Sequence, residues 1–321
     1  MTTLIDTLAS EYLLSMWVLI LCVLIEKFVT WPEKYHPLSL FRLMAQRMAD
    51  KVLPDKSRQT SQQKIAGILA PTTLLIPVIT VIAVFILLPQ YPLFFESLML
   101  LVALKFQYVI TQTKKVTSAL RSGKKILARQ MLSPIVLRET DKMSPLGMVK
   151  ANIESIFLRF CYQYCAVIFW YLLTGGAGAL IYRTLYEMSH SWNPKLYRFK
   201  YFGYPVRIVV NIMQLIPAVI GSFCIVIAGN LTSGFKAMVQ RRSYKSVPMF
   251  ILNTCGSTLN VSLGGPAFYD KVKIRMPLCG SIKQVTLSDN QKALSLINIA
   301  SWVLMTGLIL IYAIYFAALQ N

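Results

Sequence analysis

The sequence predicts an all-α integral membrane protein with about six transmembrane helices, and three observations lead to this fold class. Of the 321 residues, 55% are hydrophobic and only 14% are charged, whereas soluble domains carry about 25% charged residues. Long apolar runs recur along the chain, and the mean hydropathy is +0.55. The positive charge, 33 Lys and Arg against 13 Asp and Glu, is concentrated between those runs.

The apolar runs are long enough to cross a bilayer, which takes about 20 residues of helix. They lie near residues 12–31, 65–88, 92–110, 157–182, 207–231 and 295–319. Residues 89–91 alone separate the second run from the third, which predicts a tight hairpin. Arg159 and the glycine-rich residues 175–178 interrupt the fourth run, and Pro217 interrupts the fifth. Broken or partly sheltered helices are therefore expected in these two.

The basic residues indicate a topology. Residues 32–64, 111–156 and 233–294 carry seven, nine and nine Lys or Arg, together 25 of the 33. Alternating spans place these three loops on one side, which the positive-inside rule assigns to the cytoplasm. The segment 183–206 departs from the pattern because it carries four cations on the opposite side, so it is an interfacial element, or the fourth and fifth spans are re-entrant. Since the positive charge is mostly topological, nucleic acid is not expected as a partner.

The long basic loops predict structure of their own beneath a single membrane domain that spans residues 1–321. In 111–156, apolar residues recur at helical spacing among Lys and Arg, which predicts one or two amphipathic helices. Loop 233–294 contains a basic stretch through Gln240-Arg241-Arg242 and an apolar segment too short for a span. Gly264-Gly265-Pro266 in the same loop predicts a turn.

Polar residues inside the runs are the first functional candidates. Glu26 ends the first run and Asn211 lies in the fifth, and a polar or charged group at membrane depth is costly unless it serves a function. The six cysteines lack a C-x-x-C spacing and are interpreted as small packing residues. The chain has no G-x-x-x-x-G-K-[ST] and no G-x-G-x-x-G, so the standard nucleotide-binding loops are not expected.

Several short motifs occur in an order that is recognisable. Pro32 and His36-Pro37 follow the first run, Arg138-Glu139-Thr140 and Glu154-Ser155 follow the third, and residues 263–269 read L-G-G-P-A-F-Y. This order resembles the CobD/CbiB family, whose motifs include "H-P", "V-x-R-D-T", "A-x-x-E-S/T" and "L-G-G-P-x-F-Y". The resemblance covers the chain from about residue 20 to its end.

The resemblance implies a multi-pass protein of the bacterial inner membrane with adenosylcobinamide-phosphate synthase activity. That reaction joins a side-chain carboxylate of a corrinoid precursor to the amine of an aminopropanol phosphate and consumes ATP. ATP would activate the carboxylate as an acyl phosphate before the amine attacks, and phosphoryl transfer needs Mg²⁺ held by carboxylate oxygens. A corrinoid precursor and membrane lipids are the implied partners.

The family's acidic positions are mostly lost here, which predicts impaired or absent turnover. Where the family reads "E-N-x-x-D-G" and "A-R-L-D-D", this chain has residues 158–163 and 206–210 without an acid. The candidate catalytic residues are the remaining acids Glu154, Glu139 and Asp141. The candidate substrate- and phosphate-binding residues are Arg138, Arg207, Gly264, Gly265 and Tyr269, and arginine suits such anions because it binds them with two hydrogen bonds.

Three functions remain open at this stage. The first is an amide-forming enzyme of cobalamin biosynthesis that works with the remaining acids. The second is a non-catalytic relative with a regulatory or signalling role, as in the AmpE branch, which Arg159-Phe160 and Phe169-Trp170 resemble. The third is a small-solute transporter, since Glu26, Asn211 and a proline-broken helix are suited to line a path.

Overall fold

The structure is a computed structural model that describes residues 11–29, 31–53, 59–87, 90–240 and 246–320, and it is mostly helical. The helices are α1 (Glu11–Phe28), α2 (Pro37–Val52), α3 (Thr60–Leu87), α4 (Pro92–Ala103), α5 (Phe106–Arg121), α6 (Lys125–Leu132), α7 (Pro145–Arg159), α8 (Ala166–Ser191), α9 (Tyr204–Met213), α10 (Leu215–Ala228), α11 (Leu231–Val239), α12 (Val247–Leu259) and α13 (Asp289–Gln320). Strands β1 (Ser262–Tyr269) and β2 (Val272–Gly280) form an antiparallel hairpin, which the all-α prediction did not include.

Four helical segments are long and apolar enough to cross a membrane: Thr60–Leu87, Pro92–Arg121, Pro145–Ser191 and Asp289–Ala318. Helices α9 and α10 add a fifth if the pair, bent by 53°, counts as one span. These segments contain the second to sixth predicted runs. The first run corresponds to α1, which has 18 residues. This helix is not among the apolar segments because three of its residues, Glu11, Glu26 and Lys27, are charged. The structure therefore supports four or five crossings, and the sixth stays a prediction.

The two runs expected to be irregular are irregular in the structure. Between α7 and α8 the chain passes through a π-helical segment, Phe160–Cys165. Within α8, Gly175 adopts φ 70° and ψ −167°, a conformation that lies outside the helical region and that only glycine adopts readily. The bend between α9 and α10 falls beside Gln214, three residues before Pro217. Part of the predicted hairpin at 89–91 and part of the predicted basic stretch cannot be compared, because residues 88–89 and 241–242 lie outside the described residues.

The chain divides into two compact units. The first comprises residues 1–105, 166–213 and 305–321, and the second comprises 106–165 and 214–304. Each unit is assembled from separate stretches of sequence, which the prediction of one continuous membrane domain did not anticipate.

In the first unit, aromatic side chains tie the segment after α8 to α2. Trp192 is fully buried, its Nε1 donates to the Ala45 carbonyl at 3.0 Å, and its ring meets Phe202 edge-on at 5.0 Å. Burial of one such side chain stabilises a fold by about 1.5–3 kcal/mol. The segment 183–206 was predicted as a basic loop, and the structure corrects part of this. Arg183 lies inside α8 and is 1% exposed, so it is a buried helix residue and not a loop cation.

In the second unit, the β-hairpin is attached to helices α7 and α12. The register pairs Gly264 with Leu278 but Pro266 with Arg275, so Gly265 of β1 faces two residues of β2, and the extra residue of this bulge lies in β2. The predicted turn at Gly264-Gly265-Pro266 thus lies within a strand, opposite the bulge, and the reversal occurs at Asp270-Lys271, where both residues have positive φ. The physical reason is that glycines with φ of 76° and 93° suit a bulge as well as a turn.

Candidate functional site

A buried arginine–carboxylate pair forms the centre of the candidate site in the second unit. Glu154 lies on α7 and is 1% exposed. Its Oε2 accepts a hydrogen bond from the Arg138 guanidinium, and its Oε1 accepts one from the Gly264 backbone amide at 2.7 Å. The guanidinium also donates to the Tyr269 side chain. The structure therefore brings together four residues that the sequence singled out from three separate motifs.

The local fold explains how Arg138 reaches Glu154. Ser144 caps the N-terminus of α7 through the Gly147 amide at 3.1 Å, and Pro145 occupies the first turn, where no backbone donor is needed. About three turns later on the same helix, the Ser155 hydroxyl donates to the Ile135 carbonyl at 2.7 Å. Arg159 donates to that carbonyl as well, at 3.1 Å. These two bonds fix the segment that precedes Arg138, so Arg159 has a structural partner here.

Gly265 brings the backbone of β1 close to a second cation. Gly265 has φ 93°, and a Cβ built on it would lie 3.6 Å from the Lys150 ammonium and 3.3 Å from Leu278. Lys150 is half-buried and precedes Glu154 by one helical turn on α7. The absence of a side chain at Gly265 thus allows the Lys150 ammonium to lie next to the strand backbone. Lys150 was not selected from the sequence, although its spacing from Glu154 on a predicted helix was a usable signal.

The electrostatics of the site keep its groups in defined protonation states. Burial lowers the pKa of Arg138, but the nearby Glu154 carboxylate outweighs burial, so the net effect raises the pKa and the guanidinium stays charged. Burial raises the pKa of Tyr269, and the Arg138 charge offsets part of this rise. Burial also raises the pKa of the Cys279 thiol to about 11. Tyr269 and Cys279 are therefore neutral near pH 7.

The two other predicted catalytic acids lie apart from the Arg138–Glu154 pair. Glu139 follows Arg138, but its Oε1 accepts a hydrogen bond from the Lys271 amide at 2.5 Å and its own amide donates to the Phe268 carbonyl at 3.0 Å. Its side chain therefore caps the hairpin reversal. Asp141 is exposed. Neither carboxylate is among the hydrogen-bond partners that the structure gives Arg138.

The remaining predicted residues belong to the first unit. Arg207 is half-buried on α9, and Asn211 follows it by one helical turn with its Oδ1 buried and without a hydrogen-bond partner in the described structure. Glu26 is half-buried near the end of α1. The structure thus places these three residues in a different unit from Arg138 and Glu154.

The first unit also contains a charged cluster that sequence reasoning did not assemble. Glu187 on α8 is 1% exposed and accepts from Arg183 at 2.9 Å and from Arg42 at 3.0 Å. Glu33 lies 3.2 Å from Arg42 and 3.7 Å from Lys105. We call these five residues the Arg183 cluster.

A sequence signal for the Arg183 cluster was present. Arg183 and Glu187 have the i, i+4 spacing of a helical ion pair. His36 of the "H-P" motif adjoins the cluster and is 3% exposed. Because Arg183 was assigned to the loop 183–206, however, its helical pairing with Glu187 was not recognised.

A resident magnesium ion does not fit the residues present. Among the residues that the structure describes, no three His, Cys, Asp or Glu side chains are grouped closely enough to hold a metal ion. Both oxygens of Glu154 already accept hydrogen bonds, one of them from an arginine. Mg²⁺ prefers carboxylate oxygens together with water, and a carboxylate neutralised by a guanidinium is a poor ligand. No step of the chemistry is therefore derived through a metal held by these residues.

Taken together, the apolar helices define a polytopic helical membrane protein, and its β-hairpin contacts a buried arginine–carboxylate pair and Lys150. Residues 19–297 match the family model described as "CobD/Cbib protein". The chain therefore belongs to the CobD/Cbib family, as the order of its motifs predicted.

Curated proteins named "Cobalamin biosynthesis protein CobD" are similar to this chain over much of its length. The protein from Chromobacterium violaceum is 26% identical over 289 residues, which cover 88% of this chain and 92% of that protein. Its counterpart from Stutzerimonas stutzeri is 22% identical, with 77% and 81% covered. The Clostridium perfringens protein is 24% identical, with 62% and 66% covered. No solved structure matches the chain.

Proposed function

We propose that this protein acts in cobalamin biosynthesis and forms an amide bond between a corrinoid carboxylate and the amine of an aminopropanol phosphate. Membership of the CobD/Cbib family over residues 19–297 and the names of the similar proteins support the pathway. The observation that carries the site assignment is the Lys150 ammonium next to Gly265, close to the buried Arg138–Glu154 pair on the same hairpin. We propose further that the protein lies in the bacterial inner membrane with its basic loops in the cytoplasm.

The proposed reaction needs cations more than it needs acids. A carboxylate oxygen of the corrinoid attacks the γ-phosphorus of ATP, ADP leaves, and an acyl phosphate forms. The amine nitrogen then attacks the acyl carbon, inorganic phosphate leaves, and the nitrogen loses a proton to solvent. Negative charge develops on phosphoryl oxygens in both steps, so fixed cations such as Lys150 and Arg138 lower the barriers.

We assign Glu154 a positioning role within this reaction. A general base must lie within hydrogen-bond reach of the proton that it takes, and Glu154 is 1% exposed. Both Glu154 oxygens accept hydrogen bonds, from Arg138 and from the Gly264 amide. Glu154 therefore orients the guanidinium and holds β1 at Gly264, while Lys150 receives the phosphoryl group.

Complementation tests the proposal. A bacterial strain that lacks its adenosylcobinamide-phosphate synthase is supplied with this protein or a variant and grown where cobalamin must be made from cobyric acid. We expect growth with the wild-type protein and at least about tenfold less cobalamin with Lys150→Ala, because one fixed cation at a phosphoryl group is worth 1.4 kcal/mol or more. Lys125→Ala, at an exposed position on α6, is the matched control and should grow like wild type.

A second candidate, a non-catalytic relative with a regulatory role, is favoured by one observation. In the part of the chain that the structure covers, no metal-binding group of acids is present. If the wild-type protein is in the membrane but does not support growth, this second candidate replaces the first. Equal growth with Lys150→Ala and wild type would retain the activity and reject the site.

A further inference from the structure

The Arg183 cluster has no task in the proposed amide-forming reaction, yet it is a costly arrangement. Arg183 and Glu187 are each 1% exposed, and Lys105 is 6% exposed. Transfer of charges from water into a protein costs several kcal/mol per ion unless each finds a partner of good geometry. We therefore expect this cluster of five charged side chains, centred on Arg183 and Glu187 of α8, to serve a specific function.

The charges in the cluster do not balance. Three cations, Arg42, Lys105 and Arg183, face two carboxylates, Glu33 and Glu187. His36 does not alter this count, because its Nδ1 accepts a hydrogen bond from the Leu38 amide at 3.2 Å, so that nitrogen carries no proton and the imidazole is neutral. The five described residues of the cluster together carry a net charge of +1.

One donor of the cluster also lacks an acceptor. The Arg183 Nε donates to the Ala103 carbonyl at 3.1 Å, and its Nη2 contacts Glu187 at 2.9 Å. Its Nη1 is buried and has no hydrogen-bond partner in the described structure. A buried guanidinium N–H without an acceptor is strongly unfavourable. The surplus charge and the unused donor both call for an additional anionic oxygen.

Glu33 marks where such an anion would enter. Its side chain is 35% exposed and that of Arg42 is 27% exposed, whereas the deeper pair is almost fully buried. Glu33 belongs to a single 3₁₀ turn, Glu33–Tyr35, between α1 and α2. Its contact with Lys105, at 3.7 Å, is looser than those of Glu187. The Glu33 carboxylate can therefore be displaced without disrupting a helix, which Glu187 on α8 cannot.

We propose that the Arg183 cluster binds a phosphate group, and that Glu33 occupies the mouth of this site until the phosphate displaces it. Without Glu33, three cations face Glu187 alone, so the site carries a charge of two and matches a phosphate dianion better than a single carboxylate. Three donor side chains suit the three terminal oxygens of a phosphate monoester. The phosphate belongs to a small soluble ester or to a lipid headgroup. The proposal stands independently of the amide-forming reaction.

Binding of inorganic phosphate to the full-length protein in detergent tests the proposal by calorimetry. Glu33→Gln removes the competing carboxylate at a partly exposed position, so we expect about fivefold tighter binding of phosphate. Asp50→Asn is the matched control, because Asp50 is an exposed acid paired with Arg198 in the same unit. The control should leave the affinity unchanged. Arg183→Lys should weaken binding by about tenfold, since it loses the planar fork.

The outcomes are decisive without any assay of growth or turnover. Equal phosphate affinity in wild type and Glu33→Gln would overturn the proposal, as would acetate binding as tightly as phosphate. If Arg183→Lys fails to fold, the phosphate affinities of Glu33→Gln and Asp50→Asn, each compared with wild type, still test the proposal. Short-chain phosphatidate in place of inorganic phosphate identifies the source: binding of phosphatidate alone, tightened by Glu33→Gln, indicates a lipid headgroup. Binding of neither phosphate nor phosphatidate rejects the site.

Discussion

At the scale of single residues, the chemistry of this protein depends on which partner each charged side chain finds. Glu154 was predicted as a catalytic acid, and the structure gives both its oxygens hydrogen-bond donors, Arg138 and the Gly264 amide. Glu139 adjoins Arg138 in sequence but caps the hairpin reversal through the Lys271 amide. Residue type and motif selected these two carboxylates, and the hydrogen-bond partners separate Glu154, which binds Arg138, from Glu139, which caps the hairpin.

His36 provides a test at this scale, because its environment opposes protonation. Burial, reinforced by the charges of Lys105 and Arg183, lowers the pKa of His36 to about 3. A lowered pKa in the folded state means that the unfolded chain binds the proton first, near pH 6.5. This contribution to stability is therefore complete above that pH and is lost as the pH falls toward 3.

We expect His36 to remove about 2 kcal/mol from the free energy of unfolding between pH 7 and pH 5. The measurement is thermal unfolding in detergent at both pH values for wild type and His36→Asn. Asparagine keeps an acceptor for the N-terminus of α2, where His36 now accepts from Leu38, but does not titrate. Between pH 7 and pH 5, the free energy of unfolding of the variant should fall by about 2 kcal/mol less than that of the wild type. The same loss in both proteins would contradict the assignment.

At the scale of elements, glycines decide how closely two helices approach. Small residues such as those at 175–178 allow helices to approach closely, and the structure shows such a contact between α4 and α8. A Cβ on Gly176 would lie 2.7 Å from the Glu96 carbonyl oxygen and 3.1 Å from the Met99 Cβ. Backbone atoms at these distances cannot yield as a flexible side chain can. The contact therefore requires glycine at this position.

Gly176→Ala should destabilise the protein by about 1–3 kcal/mol, because the added methyl group forces the two helices apart. Gly307→Ala on α13 is the matched control, since no atom lies within 4 Å of a Cβ built there. Alanine favours a helix over glycine by up to about 1 kcal/mol, so the control should be neutral or stabilising. Thermal unfolding of the two variants in one detergent gives the comparison. Equal stability would show that α4 and α8 can adjust.

At the scale of the whole molecule, topology is the property that the charge distribution predicts most directly. The three long basic segments hold 25 of the 33 Lys and Arg. The number of crossings is four or five by helix length and composition. The sidedness rests on the positive-inside rule. The segment 183–206 loses part of its contrary charge because Arg183 is buried and Arg198 pairs with Asp50 at 2.7 Å.

Single added cysteines can test the sidedness, since all six native cysteines are buried. Tyr91→Cys and Lys125→Cys introduce thiols at exposed positions that the predicted topology places on opposite sides. A membrane-impermeant maleimide should label Tyr91→Cys in spheroplasts with intact membranes and label Lys125→Cys only after permeabilisation. Labelling of Lys125→Cys in intact spheroplasts would place the basic loops outside.

The sequence by itself determined the mostly helical membrane fold and the family, and it selected the residues of the candidate site. Long apolar runs can only be helices in a bilayer, because every backbone donor and acceptor must be satisfied within the segment. The motifs L-G-G-P-A-F-Y, Arg138-Glu139-Thr140 and Glu154-Ser155 are local in sequence, so their residue types and their order could be recognised from the sequence alone. The irregularities at the Gly175 region and near Pro217 were predicted for the same reason.

Only the tertiary structure decided which distant residues meet. The hairpin at 262–280 was missed because Gly264-Gly265-Pro266 reads as a turn, whereas pairing across strands places it inside β1, opposite a bulge. Lys150 and Gly265 lie far apart in sequence and become neighbours through packing. The Arg183 cluster joins residues from α2, α8, the turn before α2 and the link between α4 and α5. Electrostatic attraction depends on distance in space, and spacing along a chain reveals distance only within a single helix or strand.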